Sequence, residues 1–259
     1  MRRERRIKLL IAYNGTRYHG WQVQPQTATV QGALETCLSR ITNSTVRLHG
    51  AGRTDAGVHA LGQVAHFDTA SGISTSALVR GLNSMLSDDI AVRRAVDVSP
   101  DFHARYDATG KTYVYQVHRH GVRSALHAPY AWHVPQRLDL PAMQEAARML
   151  LGRHDFSAFR GTSRFDTRQP VRSLYRLSLR KRATRLFFVL SADGFLYHMA
   201  RSIVGTLVAV GRGAMPAEAV AAMLQTGHRQ LAGPTAPAHG LFLAHVSYRR
   251  SNIEVRLSK

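Results

Sequence analysis

The segment VRLHGAGRTDAGVHALGQVAHFD, residues 46 to 68, contains two strand-like stretches joined by a glycine-rich loop. Residues 46–49 alternate apolar and polar side chains, and residues 63–68 also have the composition of a strand. The loop between them carries a single carboxylate, Asp55, two residues after Arg53. This pattern predicts two consecutive β-strands with Asp55 held in the connecting turn.

Apolar residues recur at helical spacing on both sides of this segment. The predicted elements of the first hundred residues are strands at 7–11, 46–49, 63–68 and 90–98 and helices at 30–41 and 78–86. Thr29 is the expected N-cap of the first helix, and Ser74 or Thr75 that of the second. The order strand, helix, strand, strand, helix, strand is that of ferredoxin-like domains, which RNA-recognition modules share.

The second part of the chain follows a similar plan. We predict a strand at 111–118, a helix capped by Asp139 and ended by Gly152, a hairpin of 171–180 and 185–192, helices at 197–211 and 216–225, and a strand at 241–248. The expected fold is therefore α+β: two ferredoxin-like, RNA-recognition-like halves, residues 1–100 and 101–259, with mainly antiparallel sheets and a basic cleft between them. The first half carries the Asp55 loop, and the second completes the cleft. Residues 232–240, rich in Ala, Gly and Pro, are expected to form a flexible loop.

The charge of the chain indicates a polyanionic partner. Thirty-five Lys and Arg against sixteen Asp and Glu give a formal net charge of +19. Such an excess favours nucleic-acid binding, although a generally basic surface is the alternative explanation. No apolar run approaches the roughly 20 residues that span a bilayer, so no membrane is expected. The single cysteine, Cys37, excludes an intramolecular disulfide and a CxxC zinc site, and we expect a cytoplasmic protein.

The Asp55 loop does not match the common nucleotide-binding and nucleophile motifs. Gly52 and Gly57 have the spacing of a Walker A loop, but Val58 and His59 stand where Lys and Ser or Thr are required. The chain has no GxSxG elbow and no clustered metal ligands, so we expect neither a metal nor another cofactor. The carboxylate itself remains, either as a nucleophile or as a turn residue that accepts backbone N–H bonds.

Five blocks of the sequence resemble, in order, the tRNA pseudouridine synthase A family. They are residues 13–35 (YNGTRYHGWQVQPQTATVQGALE), 50–67 (GAGRTDAGVHALGQVAHF), 101–115 (DFHARYDATGKTYVY), 195–211 (FLYHMARSIVGTLVAVG) and 238–243 (AHGLFL). Asn14 stands where the family usually has Asp. The blocks span nearly the whole chain, so the resemblance covers both predicted halves.

The resemblance implies an isomerase that converts uridines to pseudouridine at positions 38, 39 and 40 of the tRNA anticodon stem and loop. Asp55 matches the family's nucleophile, whose target is either C1′ of the ribose or C6 of the base. The glycosidic bond breaks, the uracil rotates, and C5 rejoins the sugar without a cofactor. The family is dimeric, so the resemblance also implies a homodimer that binds tRNA.

Four further residues match family positions that contact the substrate. Tyr113 matches a tyrosine that packs on the target uracil; alternatively it fills the core beside Tyr115, since both share one strand face. Arg201 matches an arginine paired with the catalytic aspartate, and it lies off the apolar stripe of its helix; otherwise it is a solvated charge. Arg53 matches a residue that holds the flipped nucleotide. Leu241 lines the uracil pocket or belongs to the strand core.

Two other functions fit the same fold and charge. One is a pseudouridine synthase that acts on another RNA, and the other is a non-catalytic RNA-binding module. A carboxylate in the middle of a basic surface repels phosphate, which disfavours the pure binding module. Chemical change in the bound base distinguishes an enzyme from a binder.

Overall fold

The computed structural model describes residues 4–162 and 169–249 of the chain. These residues form two compact units. The first contains the described residues of Met1–Thr109 and of Leu243–Lys259, and the second is Gly110–Phe242. From the sequence we predict a single domain boundary after residue 100, which assigns the last strand to the second half. The difference has a physical cause, because a terminal strand can pair with any sheet edge and its own residues do not specify which one.

The first unit has the ferredoxin-like order of elements. It contains β1 (Arg5–Tyr13), α1 (Val30–Thr42), β2 (His49–Gly50), β3 (His59–Thr69), α2 (Thr75–Met85) and β4 (Ile90–Val98). The strands lie in the order β4, β1, β3, and β2 pairs with the other side of β3. These pairings are antiparallel, and α1 and α2 pack on each other. The predicted α+β class is confirmed for this unit.

The core of the first unit lies between its sheet and its two helices. Alternate residues of β1 are buried, and Leu9 lies opposite Ala65 of β3, which is also buried. The predicted helix caps are found: the Thr29 hydroxyl accepts a hydrogen bond from the Gly32 amide. Ser74, not Thr75, caps α2. Both helices therefore begin directly after a cap that the sequence predicts.

The prediction of a strand at residues 46–49 is wrong for residues 46–48, because β2 begins at His49. Side chains of α1 take the backbone groups that a strand would use. The Leu48 amide donates to Glu35 Oε1 at 2.8 Å, and the Leu48 carbonyl accepts from Gln31 Nε2 at 3.0 Å. Because these groups are already bonded to a helix, residues 46–48 run beside α1 and do not pair with β3.

The second unit contains an antiparallel sheet. Its elements are β5 (Ala108–His118), β6 (Trp132–His133), α3 (Leu140–Met149), β7 (Gly152–Asp155), β8 (Val171–Arg182), β9 (Arg185–Ala192), α4 (Met199–Gly211), α5 (Ala219–Thr226) and the start of β10 (Leu241–Tyr248). The antiparallel strands lie in the order β5, β9, β8, β7, and β6 pairs parallel to β5. The rest of β10 belongs to the first unit, beside β3.

The predictions for the second unit are mostly confirmed. The β8–β9 hairpin and the bounds of β10 agree with the sequence, and Asp139 Oδ1 caps α3 through the Ala142 amide at 3.0 Å. Gly152 does not end α3, because the helix stops at Met149; Gly152 starts β7 with a φ of +102°. Among the helices that the structure describes, none has the length and apolar character needed to cross a membrane.

His66 makes the first unit sensitive to acid. It is 2% exposed in β3, and its Nδ1 accepts a hydrogen bond from the Ala104 amide at 3.1 Å. Burial, together with the nearby charge of His103, lowers the pKa of His66 from 6.5 to about 4. The unfolded chain therefore takes up this proton first as the pH falls. The contribution of His66 to the free energy of unfolding is therefore complete above about pH 6.5. It decreases by roughly 3 kcal/mol as the pH falls towards pH 4.

We therefore predict that the free energy of unfolding falls between pH 7 and pH 4.5, and that His66→Gln reduces the fall. Glutamine keeps an acceptor for the Ala104 amide and does not titrate. Urea unfolding curves of both proteins across this range measure the difference. An equal pH dependence in the two proteins would contradict the assignment to His66.

Candidate active site

Asp55 lies in a loop of residues 51–58 between β2 and β3, which we call the Asp55 loop. The Asp55 carbonyl accepts a hydrogen bond from the Val58 amide at 3.1 Å, which closes a tight turn. Thr54 and Val58 are buried, whereas Asp55 is half-buried and Arg53 is exposed. The turn therefore buries the residue before Asp55 and the residue that closes the turn, and it leaves the carboxylate itself partly accessible.

The segment between β1 and α1 holds the backbone of the Asp55 loop. The Trp21 amide donates to the Thr54 carbonyl at 3.1 Å. Gly20 has a φ of +90°, and a Cβ there would lie 2.5 Å from the Thr54 oxygen. A Cβ on Gly15 would lie 2.0 Å from the Val58 oxygen. Only glycine permits such contacts, so both positions serve the loop directly.

Three buried polar side chains fix the loop further. The hydroxyls of Tyr13 and Thr54 are 2.8 Å apart and hydrogen-bonded. Gln63 Nε2 donates to the Gly52 carbonyl at 2.8 Å. Burial raises the pKa of Tyr13 well above its usual value, so its hydroxyl stays neutral. Sequence reasoning did not identify Tyr13, Gln63, Gly15 or Gly20; the resemblance of residues 13–35 and 50–67 to one family was the available signal.

Replacing Tyr13 with phenylalanine should lower the free energy of unfolding by about 1–2 kcal/mol, because the Thr54 hydroxyl loses its buried partner. Urea denaturation measures this change. Tyr175→Phe is the matched control, since Tyr175 is 62% exposed and its hydroxyl loss should change stability by less than about 0.5 kcal/mol. Equal stability of the Tyr13→Phe and wild-type proteins would contradict the proposed anchoring of the loop.

Asn14 caps the short turn before Tyr18. Its Oδ1 accepts hydrogen bonds from the Thr16 amide at 3.1 Å and the Thr16 hydroxyl at 2.7 Å. Both bonds need only an acceptor oxygen, which Asn and Asp each supply. The asparagine at this position therefore performs the turn-capping role that an aspartate can also perform.

The structure distinguishes the two tyrosines that strand alternation leaves equivalent. Tyr115 is fully buried, and its hydroxyl donates to the Pro237 carbonyl at 2.8 Å. Tyr113 is 7% exposed and packs edge-to-face on Phe195, with ring centroids 4.9 Å apart. Tyr115 is therefore part of the core, whereas Tyr113 packs against the segment that leads into α4.

Arg201 lies in the first turn of α4 and is tied to the segment predicted to be flexible. Its Nε donates to the Ala236 carbonyl at 2.8 Å, and the Ala236 amide donates back to the Arg201 carbonyl at 3.1 Å. Gly205 allows this approach, since a Cβ there would lie 1.7 Å from the Pro234 oxygen. The prediction of a flexible loop at 232–240 is therefore wrong for residues 233–236, which pack on α4.

The helix that carries Arg201 also differs from the sequence interpretation. The buried surface expected on one side of α4 extends around the whole helix. All residues of Met199–Gly211 except Arg201 are buried.

Leu241, the first residue of β10, is 4% exposed. Asp55 and Arg53 thus belong to the first unit, and Tyr113, Arg201 and Leu241 to the second. Across residues 4–162 and 169–249, no group of three His, Cys, Asp or Glu side chains is arranged to hold a metal ion.

The comparison with known families confirms the resemblance carried by the sequence blocks. A family described as tRNA pseudouridine synthase matches residues 9–107 and 146–249. The chain belongs to this family. A tRNA pseudouridine synthase A of Acetivibrio thermocellus is 46% identical over 244 residues, which cover 94% of this chain and all of the relative. One from Syntrophotalea carbinolica is 47% identical over 93% of this chain and 96% of the relative.

More distant likeness exists among solved structures. The archaeal box H/ACA sRNP Nop10-Cbf5 complex contains a chain with 13% identity and a TM-score of 0.35 to this one. The match covers 78% of this chain and 44% of that chain.

Proposed function

We propose that this protein is a tRNA pseudouridine synthase that isomerises uridines 38, 39 and 40 of the anticodon stem and loop, with Asp55 as the nucleophile. The observation that carries the proposal is the setting of Asp55. Thr54 and Val58 anchor its turn in the interior, the loop backbone is hydrogen-bonded to neighbouring segments, and the chain around it has a net charge of +19. A pure RNA-binding surface gains nothing from such a rigidly held negative charge.

The reaction needs no second substrate, because the product is an isomer of the substrate. A carboxylate oxygen of Asp55 bonds to C1′ or to C6, and the bond between N1 and C1′ breaks. The uracil then rotates so that C5 bonds to C1′ and the carboxylate is released. The C5 proton leaves and N1 gains one, which balances the step. The target uridine must first leave its stack, at a cost of a few kcal/mol.

The other site residues have proposed roles that follow from the family resemblance. Tyr113 packs on the uracil and takes part in removing the C5 proton, and Leu241 contributes apolar contact to the base. Arg201 pairs with the Asp55 carboxylate, and Arg53 holds the flipped nucleotide. The hydrogen bond from Arg201 Nε to Ala236 supports this assignment, because it fixes one edge of the guanidinium and limits its orientations.

Tyr113→Phe should separate stacking from proton transfer. Phenylalanine keeps the ring face and loses the hydroxyl, so tRNA affinity should persist while turnover falls roughly 100-fold or more. Tyr115→Phe is the matched control from the same strand face; it loses a core hydrogen bond to Pro237 and should affect stability more than turnover. Unchanged turnover in Tyr113→Phe would show that Tyr113 only packs.

The proposed specificity is tested with a tRNA transcript that carries uridines at positions 38, 39 and 40. After incubation with the protein, pseudouridines are mapped by carbodiimide modification and primer extension. We expect stops at these three positions and none elsewhere. Stops only in a ribosomal RNA transcript would indicate a synthase with another substrate, and unchanged RNA in both transcripts would indicate a binding module.

We also propose that the protein acts in the cytoplasm as a homodimer. A tRNA is large compared with a chain of 259 residues, and the family resemblance implies two subunits. Light scattering at the concentrations used for turnover should give twice the mass of 28.7 kDa for one chain. A monomer mass in a fully active sample would contradict the dimer.

A further inference from the structure

The block DFHARYDATGKTYVY contains a second feature besides Tyr113. Residues 103–107, which we call the Tyr106 turn, connect β4 to β5 and close on themselves. The Asp107 amide donates to the His103 carbonyl at 3.1 Å, and the His103 amide donates to Asp107 Oδ2 at 2.9 Å. His103 Nδ1 accepts from the amides of Arg105 and Tyr106 at 3.1 and 3.2 Å. The turn is therefore a fixed structure despite its exposed position.

The Tyr106 turn is also fastened to the rest of the first unit. Arg6 Nη1 donates to the Phe102 carbonyl at 2.9 Å, just before the turn. Within it, the Ala104 amide donates to His66 Nδ1 at 3.1 Å, and the Ala104 carbonyl accepts from the Tyr248 hydroxyl at 2.7 Å. Most of the conformational entropy of this turn is thus lost on folding, so a ligand that binds it has little further ordering cost.

The anchored turn presents an aromatic ring and a cation to solvent. The ring of Tyr106 is 76% exposed and lies on the ring of His103, with centroids 4.2 Å apart. His103 in turn contacts His66 edge-to-face at a centroid distance of 4.7 Å and His49 at 5.7 Å, so the four rings form a cluster. The Arg105 guanidinium is 5.7 Å from the Tyr106 centroid. A large aromatic ring that packs on one supported neighbour and is otherwise exposed is an open stacking position.

We infer that the Tyr106 turn is an RNA contact, in which Tyr106 stacks on an unpaired base of the substrate tRNA and Arg105 binds a neighbouring phosphate. Exposed aromatic rings beside cations are the usual way in which proteins hold unpaired bases. The positive charge of the chain favours a polyanion over an apolar or basic protein surface, and the exposed ring is suited to a stacked base. This inference rests on the proposed function.

The position of the turn is compatible with one RNA reaching both sites. His49, whose ring is 5.7 Å from that of His103, precedes Asp55 by six residues. Six residues of extended chain span at most about 20 Å. With the ring separations of 5.7 and 4.2 Å added, Tyr106 lies within about 35 Å of Asp55. A tRNA exceeds that length, so a single bound tRNA can place one base at Asp55 and another on Tyr106.

The inference is tested by measuring tRNA affinity and steady-state kinetics of Tyr106→Ala. We expect the Kd for an unmodified tRNA transcript to rise roughly 5- to 100-fold, with the loss appearing in KM more than in kcat. Tyr106→Trp should restore affinity, because it restores a stacking face. Arg105→Ala should lower the slope of log K against log salt by about one. Tyr175→Ala, an exposed tyrosine of the second unit, is the matched control and should bind normally.

The inference is overturned by unchanged tRNA affinity, by a change in sedimentation alone, or by a loss of stability that accompanies weaker binding. If Tyr106→Ala binds tRNA as tightly as wild type while wild type forms pseudouridine, the turn is not an RNA contact, and the proposed function stands. If the substitution changes sedimentation and leaves tRNA affinity unchanged, the surface contacts a second copy of the chain. Absence of pseudouridine with wild type contradicts the proposed function, whereas the binding comparison still tests the turn. Thermal melting should be unchanged, since Tyr106 is exposed; a lower Tm together with weaker binding would indicate a structural role.

Discussion

Asp55→Asn should reduce pseudouridine formation below detection while tRNA binding is retained. Asparagine is nearly the same size as aspartate, and the loop is held through its backbone and through neighbouring side chains, so its shape should persist. The amide is a far weaker nucleophile than the carboxylate and cannot form the covalent intermediate. The removal of one negative charge from a basic chain should leave tRNA affinity equal or slightly higher.

The measurement for Asp55→Asn pairs primer-extension mapping of pseudouridine with filter binding of the same tRNA. Asp88→Asn is the matched control, because it removes one charge from an exposed position of the same unit. This control should keep full activity. Loss of activity in both variants would indicate that the change in net charge causes the loss. Activity in Asp55→Asn would contradict the assignment of Asp55 as the nucleophile.

Gly20→Ala should destabilise the first unit and disable the Asp55 loop together. The alanine must adopt a φ of +90° and place its Cβ 2.5 Å from the backbone oxygen of Thr54. The unfavourable φ costs about 1 kcal/mol, and the steric overlap adds about 1–3 kcal/mol. Movement of Thr54 shifts the adjacent Asp55, so turnover should fall at least 10-fold even at temperatures where the variant is folded.

Gly213→Ala separates these two effects. Gly213 also has a positive φ, +73°, but a Cβ there has no heavy atom within 4 Å. This variant should lose only about 1 kcal/mol and keep wild-type turnover. Urea denaturation and tRNA modification assays on both variants provide the comparison. Equal stability losses in the two variants would show that the close approach to Thr54 has no effect.

Local patterns predicted much of the fold because local physics determines those parts. Thr29 and Asp139 are helix caps whose side-chain oxygens bond to amides three residues later, and this requirement is visible in the sequence. The ends of β10 and the β8–β9 hairpin also follow from composition and turn residues. In the candidate site, the glycine-rich loop and the position of Asp55 within it were visible for the same reason.

The errors arise where distant contacts decide the local structure. Residues 46–48 have strand composition, but Gln31 and Glu35 of α1 occupy the backbone groups of Leu48. Residues 232–240 have loop composition, yet Gly205 allows Pro234 to approach α4 closely and fixes part of that segment. The support of the Asp55 loop by segment 14–21 is equally nonlocal. Periodicity cannot report such pairs because the two partners are far apart along the chain.

Isomerisation of uridine in tRNA through Asp55 is the activity that we propose for this chain. Its most direct test is tritium release from a tRNA transcript labelled as [5-³H]uridine, with wild-type and Asp55→Asn proteins assayed side by side. Isomerisation replaces the bond from C5 to hydrogen with a bond from C5 to C1′, so each pseudouridine releases one label to water. We predict release by the wild type and none by Asp55→Asn. Equal release by the two proteins would contradict the role of Asp55, and no release by either would contradict the proposed activity.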